Sequence, residues 1–528
     1  MAKVLVSDRV AAEGVSIMRR GGLEVDVRTG LSKDELIEII GEYDALAVRS
    51  ETKVTAEILD AAPNLKIIGR AGVGVDNIDV ERATQRGILV VNSPDGNTIA
   101  AAELTVAMLL ALSRNIPQAH ATMKSGEWQR NRYVGIEVYG KTAGVVGLGK
   151  IGREVAKRLL GMEMTVLAYD PFLAQEQAEA LGVRLVELDT LYRQSDFITV
   201  HVPKTKETAG MIGDAELARM KDGVRLVNVA RGGIIQEAAL FAALENGKVA
   251  GAALDVWEKE PVDPQSPLAL HPKVVATPHL GASTEEAQVG VAVDIAEQIV
   301  DVLSGRPARA AVNMPSLAPD VLSKTAPYLW LAEKIGSLQA QLSEGNIASV
   351  EALYAGEFEG GQLVHITRAL MKGFLSPILS ESVNYVNAPT LAAERGIRVT
   401  ESRSGRSEEY EKLMTVTVTT GTGEQRTISG TVFGKSDARV VSMDGYSMDF
   451  KPEGYHIITR HNDRPGMVGR VGTLLGTRGV NIAGMYLGRE QPLGYAVMAL
   501  SLDNTVPADT MAEIGAMDGM EYARLVEL

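Results

Sequence analysis

The sequence predicts an α/β protein built on doubly wound parallel sheet, with smaller α+β units following it. Three observations carry that prediction. Residues 142–170, TAGVVGLGKIGREVAKRLLGMEMTVLAYD, run from an apolar strand through a glycine turn into a helix pattern, then along a second apolar strand ending on an acid. Short apolar runs alternate with helix patterns through residues 1–96 and again through 183–278, as expected of parallel strands joined by crossover helices. Residues 454–528 read strand, helix, strand, strand, helix, strand, the ferredoxin-like order.

In chain order, KVLVSD, LEVDV, ALAVRS, LKIIG and ILVVN are the strands of a first α/β domain. An Ala- and Leu-rich helix over 98–114 leads into a second domain that holds the glycine turn, with further strands at VRLV, FITVHV, VRLVNVA, AGAALDVW and KVVATP. A helix pattern after Ser283 carries the chain back, so the first domain is discontinuous: 1–97 plus 284–318, around 98–283. Residues 304–319 hold three prolines and read as a linker. The stretch 319–452 combines two helix patterns with alternating strands, and 453–528 forms the compact tail. At 528 residues the chain is too long for one core, in keeping with this division.

Composition removes several classes of function. A formal charge of −14 and a pI near 5.2 argue against a nucleic-acid or anionic-membrane surface. With no cysteine there is no disulfide, thiolate nucleophile or iron–sulfur cluster, and no metal site is expected. MAKVLVSDRV starts a strand rather than a signal peptide, and the longest apolar helix pattern contains Glu103 and is too short for a bilayer. A cytoplasmic location is expected.

The glycine turn is a dinucleotide site of the Rossmann type. Gly147 permits the tight turn, Gly149 lets backbone approach a pyrophosphate, and Gly152 lets the helix pack on its strand, with Lys150 and Ile151 at the helix N-terminus. Asp170 suits a ribose diol and repels a 2′-phosphate, which favours NAD over NADP. Residues 69–74, GRAGVG, imitate this motif, but the third glycine position is Asn77. They read as a turn that can also form a backbone N–H nest for a substrate anion at Gly72, Val73 and Gly74. Arg49 and Ser50 follow an apolar strand at the same ligand-binding end.

Hydride transfer from an alcohol needs a base and a cation. Of the seven histidines, only His201 and His279 stand at strand ends of the cofactor domain, and position alone does not separate them. Neighbours favour His279. Arg231, after strand VRLVNVA, can fork onto a carboxylate. Glu260, beyond strand AGAALDVW, can orient the imidazole, with Glu258 as a rival. Asp255, read as still on that strand, is either a buried partner or an acceptor for the nicotinamide carboxamide. Val229, Ala230 and the segment Leu280, Gly281 and Ala282 flank the same edge.

The segments VNVARGG, ALDVWEKEP and TPHLGAS resemble the catalytic signatures of the D-2-hydroxyacid dehydrogenase family, in that family's order. The resemblance implies Arg231 as substrate binder, Glu260 rather than Glu258 as the acid paired to histidine, and His279 as proton donor and acceptor. AVRSETKVT, GRAGVGVDNID and NSPDGNT are similar to the branch that oxidises 3-phospho-D-glycerate to 3-phosphohydroxypyruvate at the start of L-serine synthesis. Residues 320–452 look like the allosteric intervening domain of its long forms, and the tail resembles an ACT domain. That implies feedback by L-serine at His461, Asp463 and Asn481, and a homotetramer. Two other readings share the catalytic arginine, glutamate and histidine: a reductase of glyoxylate or hydroxypyruvate, and an NAD-sensing regulator.

Overall fold

The computed structural model describes residues 1–528 except Ser316, Ala318, Gly360, Glu381, Glu408, Glu490 and Pro492. Its first sheet contains β1 (Lys3–Val6), β2 (Glu24–Val27), β3 (Ala45–Val48), β4 (Ile67–Arg70) and β5 (Leu89–Asn92), all parallel, in the order β2-β1-β3-β4-β5. These are the five apolar runs expected from the sequence. Ala45, Leu46, Ala47 and Val48 are all fully buried, because helices cover both faces of the sheet.

The helix Glu285–Leu303 returns to this sheet, its N-terminus capped by Thr284 Oγ1, which accepts from Ala287 N at 3.1 Å. Two glycines let it dock closely. A Cβ on Gly14 would lie 2.7 Å from the Ala292 carbonyl oxygen, and one on Gly69 would lie 2.8 Å from Ile299 Cδ1.

The following linker is a correction to the sequence reading in part. Ser316 and Ala318 lie outside the described residues, but 308–314 is docked rather than free. Val312 N donates to Val90 O at 2.7 Å, Asn92 N to Ala310 O at 3.3 Å, and Asn313 brackets Val90 N and Ile88 O with its amide. The edge strand β5 has unpaired backbone groups on its outer side, and this segment satisfies them.

The second sheet holds β6 (Thr142–Val146), β7 (Thr165–Tyr169), β8 (Arg184–Leu185), β9 (Phe197–Val200), β10 (Val224–Asn228), β11 (Val249–Leu254) and β12 (Val274–Ala276). It is parallel throughout, in the order β12-β11-β10-β9-β6-β7-β8. Strand order reverses at β6, so a crevice opens beyond the carboxyl ends of β6 and β9. The helix Thr98–Ser113 packs against the helix Lys150–Gly161 and enters the core through Ala102, Met108, Leu109 and Leu112. Among the described residues no single helix is long and apolar enough to cross a membrane; Thr98–Ser113 with Ile116–Lys124 passes that test only as a pair bent by 67°.

The third sheet, β13 (Ile347–Gly356), β14 (Arg398–Ser404), β15 (Lys412–Thr420), β16 (Gln425–Phe433), β17 (Asp437–Met443) and β18 (Tyr446–Phe450), has the order β14-β13-β15-β16-β17-β18. Helices Pro319–Leu342 and Gln362–Leu375 cross against it. The tail gives β19 (Tyr455–Asn462), β20 (Ile482–Arg489), β21 (Tyr495–Leu502) and β22 (Met520–Glu527) in the antiparallel order β20-β21-β19-β22. One face of that sheet carries the tail's own helices, while Ile458, Val497, Ala499 and Val526 on the other join the core of the preceding sheet. Gln341 completes the joint: its amide donates to Glu527 O at 2.8 Å and accepts from Glu527 N at 3.0 Å, as a neighbouring strand would.

Candidate active site

The glycine turn has the geometry its sequence demands. Gly147 sits at φ 92°, where a side chain is strained, and a Cβ there would lie 2.8 Å from the His201 carbonyl oxygen. A Cβ on Gly152 would overlap the Gly147 carbonyl, while the space beside Gly149 is open. No side chain caps the helix Lys150–Gly161, whose N-terminus therefore offers free N–H groups and the positive end of its dipole. Asp170 lies one residue past β7 and accepts from Leu148 N and Phe172 N, both at 2.9 Å, which fixes its carboxylate beside the turn. Together the open cradle, bare helix end and terminal carboxylate fit a dinucleotide. Lys150 is paired with Asp95, so in this arrangement its ammonium is held by the loop after β5.

At the carboxyl ends of β10, β11 and β12 the expected polar groups converge. His279 Nδ1 lies 2.7 Å from Glu260 Oε2, and Glu260 Oε1 accepts from Trp257 N at 3.1 Å. Burial works to raise the Glu260 carboxyl, but the bond and charge of His279, then Trp257 N and Arg231, hold it below the usual carboxylate range. An ionised Glu260 accepts from Nδ1–H and leaves the Nε2 lone pair free to take a proton. Glu258 turns elsewhere, accepting from Glu237 N at 3.0 Å. His201 is separated from His279 by chemistry as well: it bonds Thr199 Oγ1 at 3.0 Å, and desolvation pushes its imidazole down to about 4.

Asp255 requires a correction. β11 ends at Leu254, so Asp255 lies one residue past the strand. Its carboxylate has no exposed surface and accepts from Thr277 Oγ1 at 2.6 Å, Leu280 N at 2.7 Å and Gly281 N at 2.9 Å. Of its two expected roles, the structure gives it that of a buried partner, shaping the loop on which His279 sits at φ 57°. Gly281 is buried against Val229, with Ala282 beyond it, while Leu280 is 39% exposed.

The turn at Arg231 is set by Asn228, which the sequence reading passed over. Its amide accepts from Ala230 N at 3.0 Å and donates to Arg231 O at 2.9 Å. Arg231 Nε then reaches Asp76 Oδ2 at 3.0 Å, on the loop after β4.

Facing this edge is the imitation glycine motif. The expected nest is narrower than three residues: Gly72 N donates to Arg70 O at 2.8 Å, closing a tight turn, so its N–H is not available to an anion. Val73 N and Gly74 N donate to no carbonyl among the described residues. Gly72 is needed for another reason, since a Cβ there would overlap the Arg70 guanidinium.

Arg70 is the main residue the sequence reading missed, although its place at the end of β4 matches that of Arg49 after β3. Its Nε is buried without a partner among the described residues. Burial pushes the guanidinium down to about 10, helped by the nearby charges of Arg231 and Arg49. The Arg49 loop is fixed by Asp8, 1% exposed, which accepts from Arg49 N at 2.6 Å and from Thr52 N and Oγ1; Ser50 on that loop is exposed.

In the tail, the three expected effector residues do not converge. The ring of His461 is buried at 1% exposure against Thr459, with burial lowering its pKa. Asp463 is paired with Arg489 at 3.2 Å. Asn481 precedes β20, whose Ile482 pairs with Leu502, as does Tyr455 at the start of β19. His461 and Asp463 therefore stand at the other end of β19, roughly 20 Å away at about 3.3 Å per residue.

The sequence matches the family described as D-isomer specific 2-hydroxyacid dehydrogenase, NAD binding domain, over residues 106–281. It also matches the D-3-phosphoglycerate dehydrogenase intervening domain over 324–444 and the ACT domain over 455–519. A D-3-phosphoglycerate dehydrogenase of Archaeoglobus fulgidus is 50% identical over 528 residues, covering 100% of both chains. One of Synechocystis is 50% identical over 531 residues, covering 100% of this chain and 95% of the relative. Among solved structures, D-lactate dehydrogenase of Aquifex aeolicus complexed with NAD and lactic acid superposes with a TM-score of 0.53 at 29% identity, covering 60% of this chain and 100% of that one. The fold and site are those of an NAD-dependent D-isomer-specific 2-hydroxyacid dehydrogenase. With full-length identity at this level, the chain belongs to the D-3-phosphoglycerate dehydrogenase family.

Proposed function

We propose that this protein oxidises 3-phospho-D-glycerate to 3-phosphohydroxypyruvate, the first step of the phosphorylated route to L-serine, and that L-serine inhibits it. The observation that carries the chemistry is the 2.7 Å bond from His279 Nδ1 to Glu260 Oε2, which leaves Nε2 as the acceptor. His279 removes the C2 hydroxyl proton, and Glu260 stabilises the imidazolium that results. NAD supplies the hydride acceptor for C2, held by residues 147–152 and Asp170. Arg231 and the Val73–Gly74 backbone hold the substrate carboxylate, and Arg49 with Arg70 takes the phosphate. The buried, unpartnered Nε of Arg70 supports that last assignment.

The working unit is a cytoplasmic homotetramer, divided into a substrate domain (1–97 with 284–318), an NAD domain (98–283), an intervening domain (319–452) and an ACT domain (453–528). Serine binds between two ACT domains, because one copy keeps Asn481 far from His461 and Asp463. NADH formation from 3-phosphoglycerate, compared with glycerate and lactate and repeated with added serine, tests this reading. Strong preference for the phosphorylated acid and a falling rate with serine are expected; equal rates on glycerate would remove the phosphate assignment, and indifference to serine would remove the feedback.

A further inference from the structure

We propose that Asp76 is a positioning residue for substrate binding. From the opposite wall of the cleft, its carboxylate fixes the Arg231 guanidinium in the orientation that presents its terminal N–H pair to the incoming carboxylate. This rests on the reading of Arg231 as the carboxylate-binding group.

The argument is one of counting donors. A guanidinium has five N–H groups, and a fork onto a carboxylate uses two that point the same way. Arg231 Nε donates to Asp76 Oδ2 at 3.0 Å, and Nη1 donates to the Ala230 carbonyl at 2.7 Å. The side edge, made of Nε and Nη2, is blocked at Nε by Asp76, and Ala230 takes one hydrogen of Nη1. What remains is the end-on pair formed by Nη1 and Nη2.

That end is aimed. Nη2 lies so close to Gly74 that a Cβ at this position would overlap it, and Asp76 Oδ2 would be 2.8 Å from the same Cβ. The Nη2 end of the guanidinium therefore sits against Gly74, and the N–H groups of Val73 and Gly74 donate to no carbonyl among the described residues. Asn228 sets the backbone of the Arg231 turn, but the direction of the side chain beyond it is fixed from outside by Asp76.

Asp76 belongs to the sheet of β1–β5 and Arg231 to that of β6–β12, 155 residues apart, so the contact also sets the two walls in register. It further supplies a countercharge where Arg49, Arg70 and Arg231 crowd together. The pair is too exposed to matter much for stability, with 68% of the Asp76 side chain accessible, so its effect belongs in substrate binding.

Steady-state kinetics of Asp76→Asn and Asp76→Glu at saturating NAD, beside Arg231→Lys, test the proposal. For Asp76→Asn we expect the KM for 3-phosphoglycerate to rise about tenfold and kcat to stay within about threefold, since losing the aim weakens the fork but leaves the base in place. Tm and NAD affinity stay at wild-type values, and Asp76→Glu brings KM back to within about threefold of wild type. An unchanged or lowered KM in Asp76→Asn, while Arg231→Lys raises it, overturns the proposal and marks Asp76 as a bystander or a competitor for Arg231. An unchanged KM in Arg231→Lys would instead remove the carboxylate role of Arg231 itself.

Discussion

The cleft between the first two sheets and the sheet of the ACT tail solve the placement of polar groups in opposite ways. In the cleft, strand ends of parallel sheets all face one way, so Arg231, Glu260 and His279 reach one edge from separate crossovers, and Asp76 meets Arg231 from the other wall. In the tail the strands are antiparallel, and residues close in sequence to β19 and β20 end up at opposite ends of the sheet. A parallel sheet gathers its loops; an antiparallel one divides them between two ends. On the proposed reading, an effector site assembled from both ends of the tail needs a second copy, whereas the His279–Glu260 pair is formed within one chain.

The largest effect that sharpens this contrast is expected at the base. His279→Ala should lower kcat by about 10²–10⁴-fold while NAD binding, followed by fluorescence, stays near normal. Retained turnover would mean that the relay lies elsewhere. Arg231→Lys should cost roughly 10–100-fold in kcat/KM for 3-phosphoglycerate, because a point charge cannot reproduce the fork. Wild-type values would dissolve the link between the two walls.

His201 provides the smallest effect and a control on the choice of histidine. Its imidazole is held at about 4 by desolvation, below the 6.5 of an exposed ring. Between those values the unfolded chain binds the proton and the folded chain does not, so this contribution to stability is intact above pH 6.5 and declines toward pH 4. His201→Asn should therefore flatten the fall of Tm across that window and keep most of the turnover. A Tm curve identical to wild type would show that the ring is solvated.

Much of the fold was legible because it rests on local rules. The apolar runs of β1–β5, the three glycines at 147, 149 and 152, and the tail's strand–helix order each follow from patterns within a few dozen residues. The pairing of His279 with Glu260 was open from position alone and rested on resemblance until the geometry placed Glu258 against Glu237. What escaped were residues whose partners are remote. Arg70 sat inside a motif read only for its glycines, and Asp76 has meaning only opposite Arg231. Pro-rich 304–319 suggested a tether, but its composition does not reveal that β5 has an open edge to be covered. Asp255, one residue beyond its strand, shows the same limit: which of its two expected settings it occupies depends on donors from Thr277, Leu280 and Gly281, more than twenty residues away.

The proposed contrast between a one-chain relay and a two-chain effector site is tested most directly by complementation. Asp463→Ala and Asn481→Ala chains, expressed separately and together, are assayed for NADH formation from 3-phosphoglycerate across a serine titration. Each variant alone should lose serine inhibition, and the mixed assembly should regain part of it, because one interface then pairs an intact Asp463 with an intact Asn481 of the other copy. A mixed assembly that stays insensitive, or single variants that remain fully inhibited, would contradict the account.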